Sequence, residues 1–165
     1  MAKDPPKAKI ILAGGKLELT VPSTWTEQEP KFRAIVTQEF VVAKAKEDKV
    51  QGRVTVGGAG GGVEAITNYW RAQYFQPDGK PTSERTEVKE IEVAGQKVTL
   101  VDITGTYRGS EYRNEPRQAN FRMLGAIIAT ENLGRYYVKF YGPRQTVAAQ
   151  EKAFRQLVHS LVVKK

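Results

Sequence analysis

The chain has 165 residues, with 26 Lys and Arg against 18 Asp and Glu, one His and no Cys. That length suits one domain, which buries roughly 70% of its unfolded surface without help from disulfides or metal. The lack of Cys and the single His exclude a disulfide framework, a Cys nucleophile, thiolate zinc and every motif that needs two histidines. No apolar run approaches the ~20 residues of a membrane helix, and no cofactor or metal is predicted.

The formal net charge of +8 invites a nucleic-acid reading, so its distribution matters. Residues 1–30 and 54–75 are neutral, and residues 76–104 are acidic, with four basic against six acidic groups. The excess lies in residues 31–53 (six against three), 105–144 (seven against three) and 145–165 (four against one). A nucleic-acid module carries a denser stripe with a recognisable motif, and no zinc-finger spacing or RNP-like run is present. The charge instead predicts a protein or anionic cell-envelope partner, with no specific nucleic acid, and a monomer or weak oligomer.

Residues 1–8 read as a polar, proline-bearing linker. No apolar stretch follows Met1, so an exported protein is expected if a leader has been removed, and a cytoplasmic one otherwise. Lys9–Leu12 and Leu17–Val21 flank Gly14-Gly15 and predict a hairpin, because paired glycines reach the positive φ of a tight turn. Residues 32–43 and 52–56 predict two further strands. The glycine run 57–62 then leads into Val63, Ile66, Trp70 and Tyr74 at helical spacing, predicting a helix over 63–75.

Beyond the turn cluster at 76–81, strands are predicted at 88–93, 97–107, 119–130 and 135–141, joined by turns at 94–95 and 131–134 and a polar loop at 108–117. The chain closes on one amphipathic helix from about Gln145, with Val147, Phe154, Leu157, Val158, Leu161 and Val162 on one stripe. Strands joined by short turns make an antiparallel meander. The predicted class is therefore α+β, a mostly antiparallel sheet flanked by helices in a single domain over 9–165.

A strand ended by Pro22 and followed by Trp25, then an antiparallel sheet, then an amphipathic helix entered at Gly142 and carrying Phe154 and Ser160, resembles the fold shared by PsbP, the envelope lipoprotein DcrB and the nuclear import factor Mog. The resemblance spans about residues 10–163. It implies an accessory or protein-binding domain without a catalytic constellation, exported or envelope-associated in many bacterial members. Unlike the lipoprotein members, this chain has no cysteine to acylate.

Several groups are candidate sites. Gly60, Gly61 and Gly62 open the first helix and offer backbone N–H groups to an anion, although no Lys-Ser/Thr follows as in a P-loop and no parallel βαβ unit is predicted. In the 107–117 loop, Tyr107, Arg108, Tyr112, Arg113 and Arg117 interleave the two residue types most enriched at binding hot spots. Alternation along the strands predicts that Arg122, Lys139 and Asp102 join one polar patch if the register is favourable. Trp70, Tyr69 and Tyr74 form either an aromatic cradle or core, Trp25 covers one end of the sheet, and His159 is a solvent-facing residue of the last helix.

The leading expectation is a macromolecule-binding module using the 107–117 loop and neighbouring sheet residues. The alternatives are a small-ligand or anion-binding protein with a pocket between sheet and helix, and a hydrolase built on carboxylates alone, Asp102 with a glutamate.

Overall fold

A computed structural model describes residues 8–31 and 33–164. The predicted linker, apart from Ala8, and Phe32 lie outside the described residues. The strands are β1 (Lys9–Leu12), β2 (Leu17–Thr20), β3 (Trp25–Gln28), β4 (Val36–Val42), β5 (Gly52–Gly58), β6 (Tyr74–Phe75), β7 (Thr86–Val93), β8 (Gln96–Tyr107), β9 (Gln118–Ala129), β10 (Arg135–Pro143) and β11 (Val162–Val163). The helices are α1 (Val63–Ala72), α2 (Arg144–Ala149) and α3 (Glu151–His159). The predicted α+β class, a mostly antiparallel sheet with helices, is what the chain adopts.

Eight strands form one antiparallel sheet in the order β3-β4-β5-β10-β9-β8, with β6 and β7 both pairing with β8. One side of it is the meander β7 to β10. A two-residue turn at Ala94-Gly95 closes β7 on β8 with Val93 opposite Gln96, and both turn residues take positive φ, 51° and 77°. That matches the right-handed twist of the strands it joins. Between β9 and β10, Thr130 Oγ1 donates to Gly134 O at 2.6 Å and accepts from Leu133 N at 2.9 Å, fixing the next reversal.

The small second sheet, β1-β2-β11, carries the predicted hairpin. Its connection is four residues long, since Leu12 pairs with Leu17, and Ala13 joins Gly14 and Gly15 at positive φ. Between the sheets lies the larger core: Ile10, Leu12, Leu17 and Leu19 from the hairpin meet Phe40, Val54, Val56, Val138 and Phe140 of the large sheet. Phe154, Leu157 and Val158 of α3, with Leu161 just beyond its end, fill the same layer at i, i+3, i+4 and i+7. Each such side chain contributes about 1.5–3 kcal/mol on burial. Trp25 lies over Phe40 and Phe140, with ring centroids 6.4 and 5.6 Å away.

The opposite face of the large sheet carries a second core of Trp70, Tyr74, Val101, Ile103, Tyr107, Phe121, Met123, Ile127, Tyr137 and Tyr141. This face is covered by α1 and the 108–117 loop.

Beyond boundary shifts of one or two residues, four features differ from expectation. The third predicted strand starts at Val36 because residues 33–35 form a turn. Trp25–Gln28 pairs with β4 as a strand the sequence reading did not predict. The first helix ends at Ala72, and Tyr74 and Phe75 pair instead with Tyr107 and Thr106. The closing helix is two helices broken at Gln150 (φ −111°, ψ 9°), and half-exposed Val162 leaves the apolar stripe to pair with Glu18.

Candidate functional site

The α1-side face of the large sheet is unusually polar at its centre. One row across the strands reads Glu39, Thr55, Lys139, Gly125, each opposite the next. The neighbouring row on the same face carries Arg53 and Tyr141. Glu39, Thr55 and Lys139 are all buried, so this part of the sheet sets charge where the other core layer sets Val and Phe.

Trp70 reaches this face because residue 125 is glycine: a β-carbon there would lie 2.3 Å from Trp70 Cζ3. The indole meets Tyr137 edge-on, with centroids 5.9 Å apart at 78°. Trp70 and Tyr74 are therefore core, while Tyr69 on the outer side of α1 is 66% exposed.

The 108–117 loop is folded back onto the sheet. Ser110 and Glu115 exchange backbone hydrogen bonds at 2.9 and 2.8 Å, and Arg108 N donates to Gln73 O at 2.9 Å. The Glu115 carboxylate accepts from Tyr107 OH at 2.9 Å and from Tyr141 OH at 2.8 Å. It also lies 3.8 Å from Arg53 Nη1, which is 3.9 Å from Glu39. Arg113 Nη1 donates to Tyr141 OH at 3.3 Å. Arg108 and Arg117 both stand over the Phe75 ring, each 5.0 Å from its centroid.

Between α1 and this loop opens a cleft of about 570 Å³, within the usual range for ligand sites. Ile35, Tyr69 and Tyr112 line it at the solvent side, 55%, 66% and 87% exposed. Ile66, Trp70, Tyr107 and Tyr137 supply apolar wall, and Gln73, Arg113 and Lys139 supply the polar groups. Lys139 Nζ donates to Gln73 Oε1 at 3.3 Å and stands 5.0 Å from the centre of the Tyr141 ring. Burial first, then the charge of Arg113, pushes its ammonium down to about 7, against a smaller opposing effect of Glu115. On the far side of the loop a smaller pocket of about 210 Å³ is lined by Arg53, Tyr107, Glu115 and Tyr141.

The single polar patch expected of Asp102, Arg122 and Lys139 does not form. The register places Arg122 opposite Gly142 and Lys139 opposite Gly125, so their side chains leave opposite faces of the sheet. On the α3 side, Arg122 donates to Asp102 twice, at 3.0 and 2.7 Å, and to Glu151 Oε1 at 2.6 Å. Of the loop candidates, Tyr107 is a buried cleft wall, Tyr112 and Arg113 line the cleft, and Arg108 and Arg117 are occupied at Phe75.

The glycine run turns β5 into α1, with Gly61 and Gly62 at φ 87° and 92° and Gly60 on the cleft wall. A β-carbon at Gly62 would lie 3.3 Å from Arg135 Nη1. Among the described residues no group of three potential metal ligands occurs, and no helix is long and apolar enough to cross a membrane. Sequence reasoning did not single out Ile35, Gln73, Glu39 or Glu115; of these only Glu39, the one acidic residue inside the β-forming run 32–43, carried a local signal.

A large antiparallel sheet with a hairpin and helices on one face and a single helix on the other is the PsbP/Mog-like α+β fold. Cyanobacterial PsbP from Synechocystis sp. PCC 6803 superposes with a TM-score of 0.56 at 8% identity, covering 97% of this chain and 94% of that one. LpqN of Mycobacterium tuberculosis, involved in cell envelope biogenesis, gives 0.53 at 7% identity over 98% and 87%. The Ran-binding protein Mog1p of Saccharomyces cerevisiae gives 0.46 at 12% identity over 95% of each chain. No family model matches the sequence, and no curated protein matches it significantly.

Proposed function

We propose that this protein is a non-catalytic binding or accessory module, and that its docking site is the cleft between α1 and the 108–117 loop. The partner is a protein that inserts an aromatic or aliphatic side chain between Tyr69 and Tyr112. One observation carries the reading: of the six large apolar side chains most exposed among the described residues, three (Ile35, Tyr69 and Tyr112) line this one cleft. Clustered exposed apolar surface marks interaction sites where scattered residues do not, and tyrosine gives contact area at low entropic cost.

The carboxylate-only hydrolase is the weaker reading. The residues lining the cleft include no Asp or Glu, whereas Asp102 faces the other layer and shares one guanidinium with Glu151. An exported or envelope-associated setting is part of the proposal, supported by the fold likeness to LpqN; fractionation of source cells with an antibody to the chain checks it.

The docking test compares two double variants in capture from source lysate. Tyr69→Ser with Tyr112→Ser should lower recovery of the partner by about tenfold or more, the loss of a hot-spot pair. Arg108→Ala with Arg117→Ala, which removes two cations from Phe75 and none from the cleft, should leave recovery unchanged. Equal recovery with both variants overturns the cleft as the docking site.

A further inference from the structure

Resting on the docking cleft proposed above, we infer that it receives a carboxylate joined to an aromatic or aliphatic body, with Lys139 and Arg113 holding the anionic end. The first observation is a charge imbalance. Lys139 is only 6% exposed, yet among the described residues no carboxylate lies within ion-pair distance of its Nζ or of the Arg113 guanidinium. An ammonium carries three donors, and the acceptor found for this one is Gln73 Oε1 at 3.3 Å. Leaving a buried cation without a counter-charge is costly.

Glu115, the nearest acid on the loop, is engaged by both Tyr107 and Tyr141. The Arg113 guanidinium donates to a phenol, the Tyr141 hydroxyl. Two cations with spare donors, both in contact with Tyr141, thus line one cleft whose wall includes Trp70, Ile66 and three tyrosines, Tyr69, Tyr107 and Tyr137. That wall selects for the rest of the ligand, because an inorganic anion would leave the apolar surface wet.

One carboxylate suits the site, since its two oxygens can accept from one ammonium and one guanidinium that each keep unused donors. The carboxylate can belong to a free small acid or to the C-terminus of a peptide ending in an aromatic residue. Charge-assisted hydrogen bonds to the ligand then replace the missing partner of Lys139.

The test uses the whole chain and four probes followed by amide and Lys side-chain NMR: 3-phenylpropionate, 3-phenylpropionamide, Gly-Gly-Phe and its C-terminal amide. Either free acid should shift Gln73, Arg113 and Lys139 and bind at least about tenfold more tightly than its amide. Binding of phenylpropionate alone assigns the site to free acids; binding of Gly-Gly-Phe assigns it to peptide termini. Lys139→Met, which keeps the buried stem and removes the charge, should abolish the acid preference, and its denaturation curve confirms that it folds.

Equal affinity for acid and amide, the same preference in Lys139→Met, or no shift with any probe at about 10 mM overturns the anion. Those outcomes leave the docking reading intact if capture still depends on Tyr69 and Tyr112. Loss of that dependence with the acid preference retained would instead remove the protein partner and keep the anion.

Discussion

Trp70 packs its six-membered ring directly on Gly125, so closely that a β-carbon on that residue would stand 2.3 Å from Cζ3 and 2.9 Å from Cη2. The helix that bounds the cleft is thereby seated on the sheet through one missing side chain. Gly125→Ala should destabilise the chain by about 1–3 kcal/mol, the usual cost of overpacking a filled core. Because the collision is with Trp70, urea denaturation should show the loss and tryptophan emission of the folded variant should shift. A neutral effect on both would mean that the indole is not held there.

The guanidinium of Arg122 ties β8, β9 and α3 together through Asp102 and Glu151. Substituting Met leaves two carboxylates facing each other without their shared cation, at a cost of about 2 kcal/mol. Arg122→Lys should recover only part of it, since a point charge cannot reproduce the two-pronged contact with Asp102. In a double-mutant cycle with Asp102→Asn, the coupling should exceed about 0.5 kcal/mol. None of these changes should alter ligand binding, because Arg122 lies on the face away from the cleft.

The charged cleft floor sets a pH dependence of stability. Lys139 titrates at about 7 folded against 10.5 unfolded, so across that window the unfolded chain holds the extra proton and stability rises with pH. Below the window Lys139 is charged in both states and adds no slope. Burial holds Tyr74, Tyr107, Tyr137 and Tyr141 above their ordinary value of 10.0. The unfolded chain therefore loses phenolic protons first at the alkaline end, and stability falls again there.

The groups facing Lys139 from the loop and β10 are Arg113, Glu115 and Tyr141, and their charges tune this profile. Urea midpoints measured from pH 6 to about 11 should trace the rise and the fall. Lys139→Met should remove the rise and leave the fall.

Much of the fold was legible because its signals are local. The turn at Ala94-Gly95 and the alternation of Val98, Leu100, Leu124 and Ala126 write the β7–β10 meander into the sequence. The two-residue strands β6 and β11 are too short to show a strand period, and Tyr74 and Val162 instead continue the helical stripes before them; they join sheets because distant strands present open edges. The break at Gln150 was hidden because the stripe continues across it. The candidate site was half legible: Arg113, Tyr112 and Lys139 stood out by type, but parity within a strand cannot say which face it shares with its neighbour, and a single step in register parts Lys139 from Arg122.

The placement of β11 has a consequence for the order of events in making the protein. Val162 and Val163 pair with Glu18 and Leu17, and Lys164 N donates to Lys16 O at 2.7 Å. The hairpin thus completes its sheet with residues from the far end of the domain, made long after it. Until those residues leave the ribosome, the β1–β2 hairpin has an open edge and no Phe154, Leu157 or Leu161 to cover it. A nascent or truncated chain accordingly shows a sticky strand that the finished one conceals.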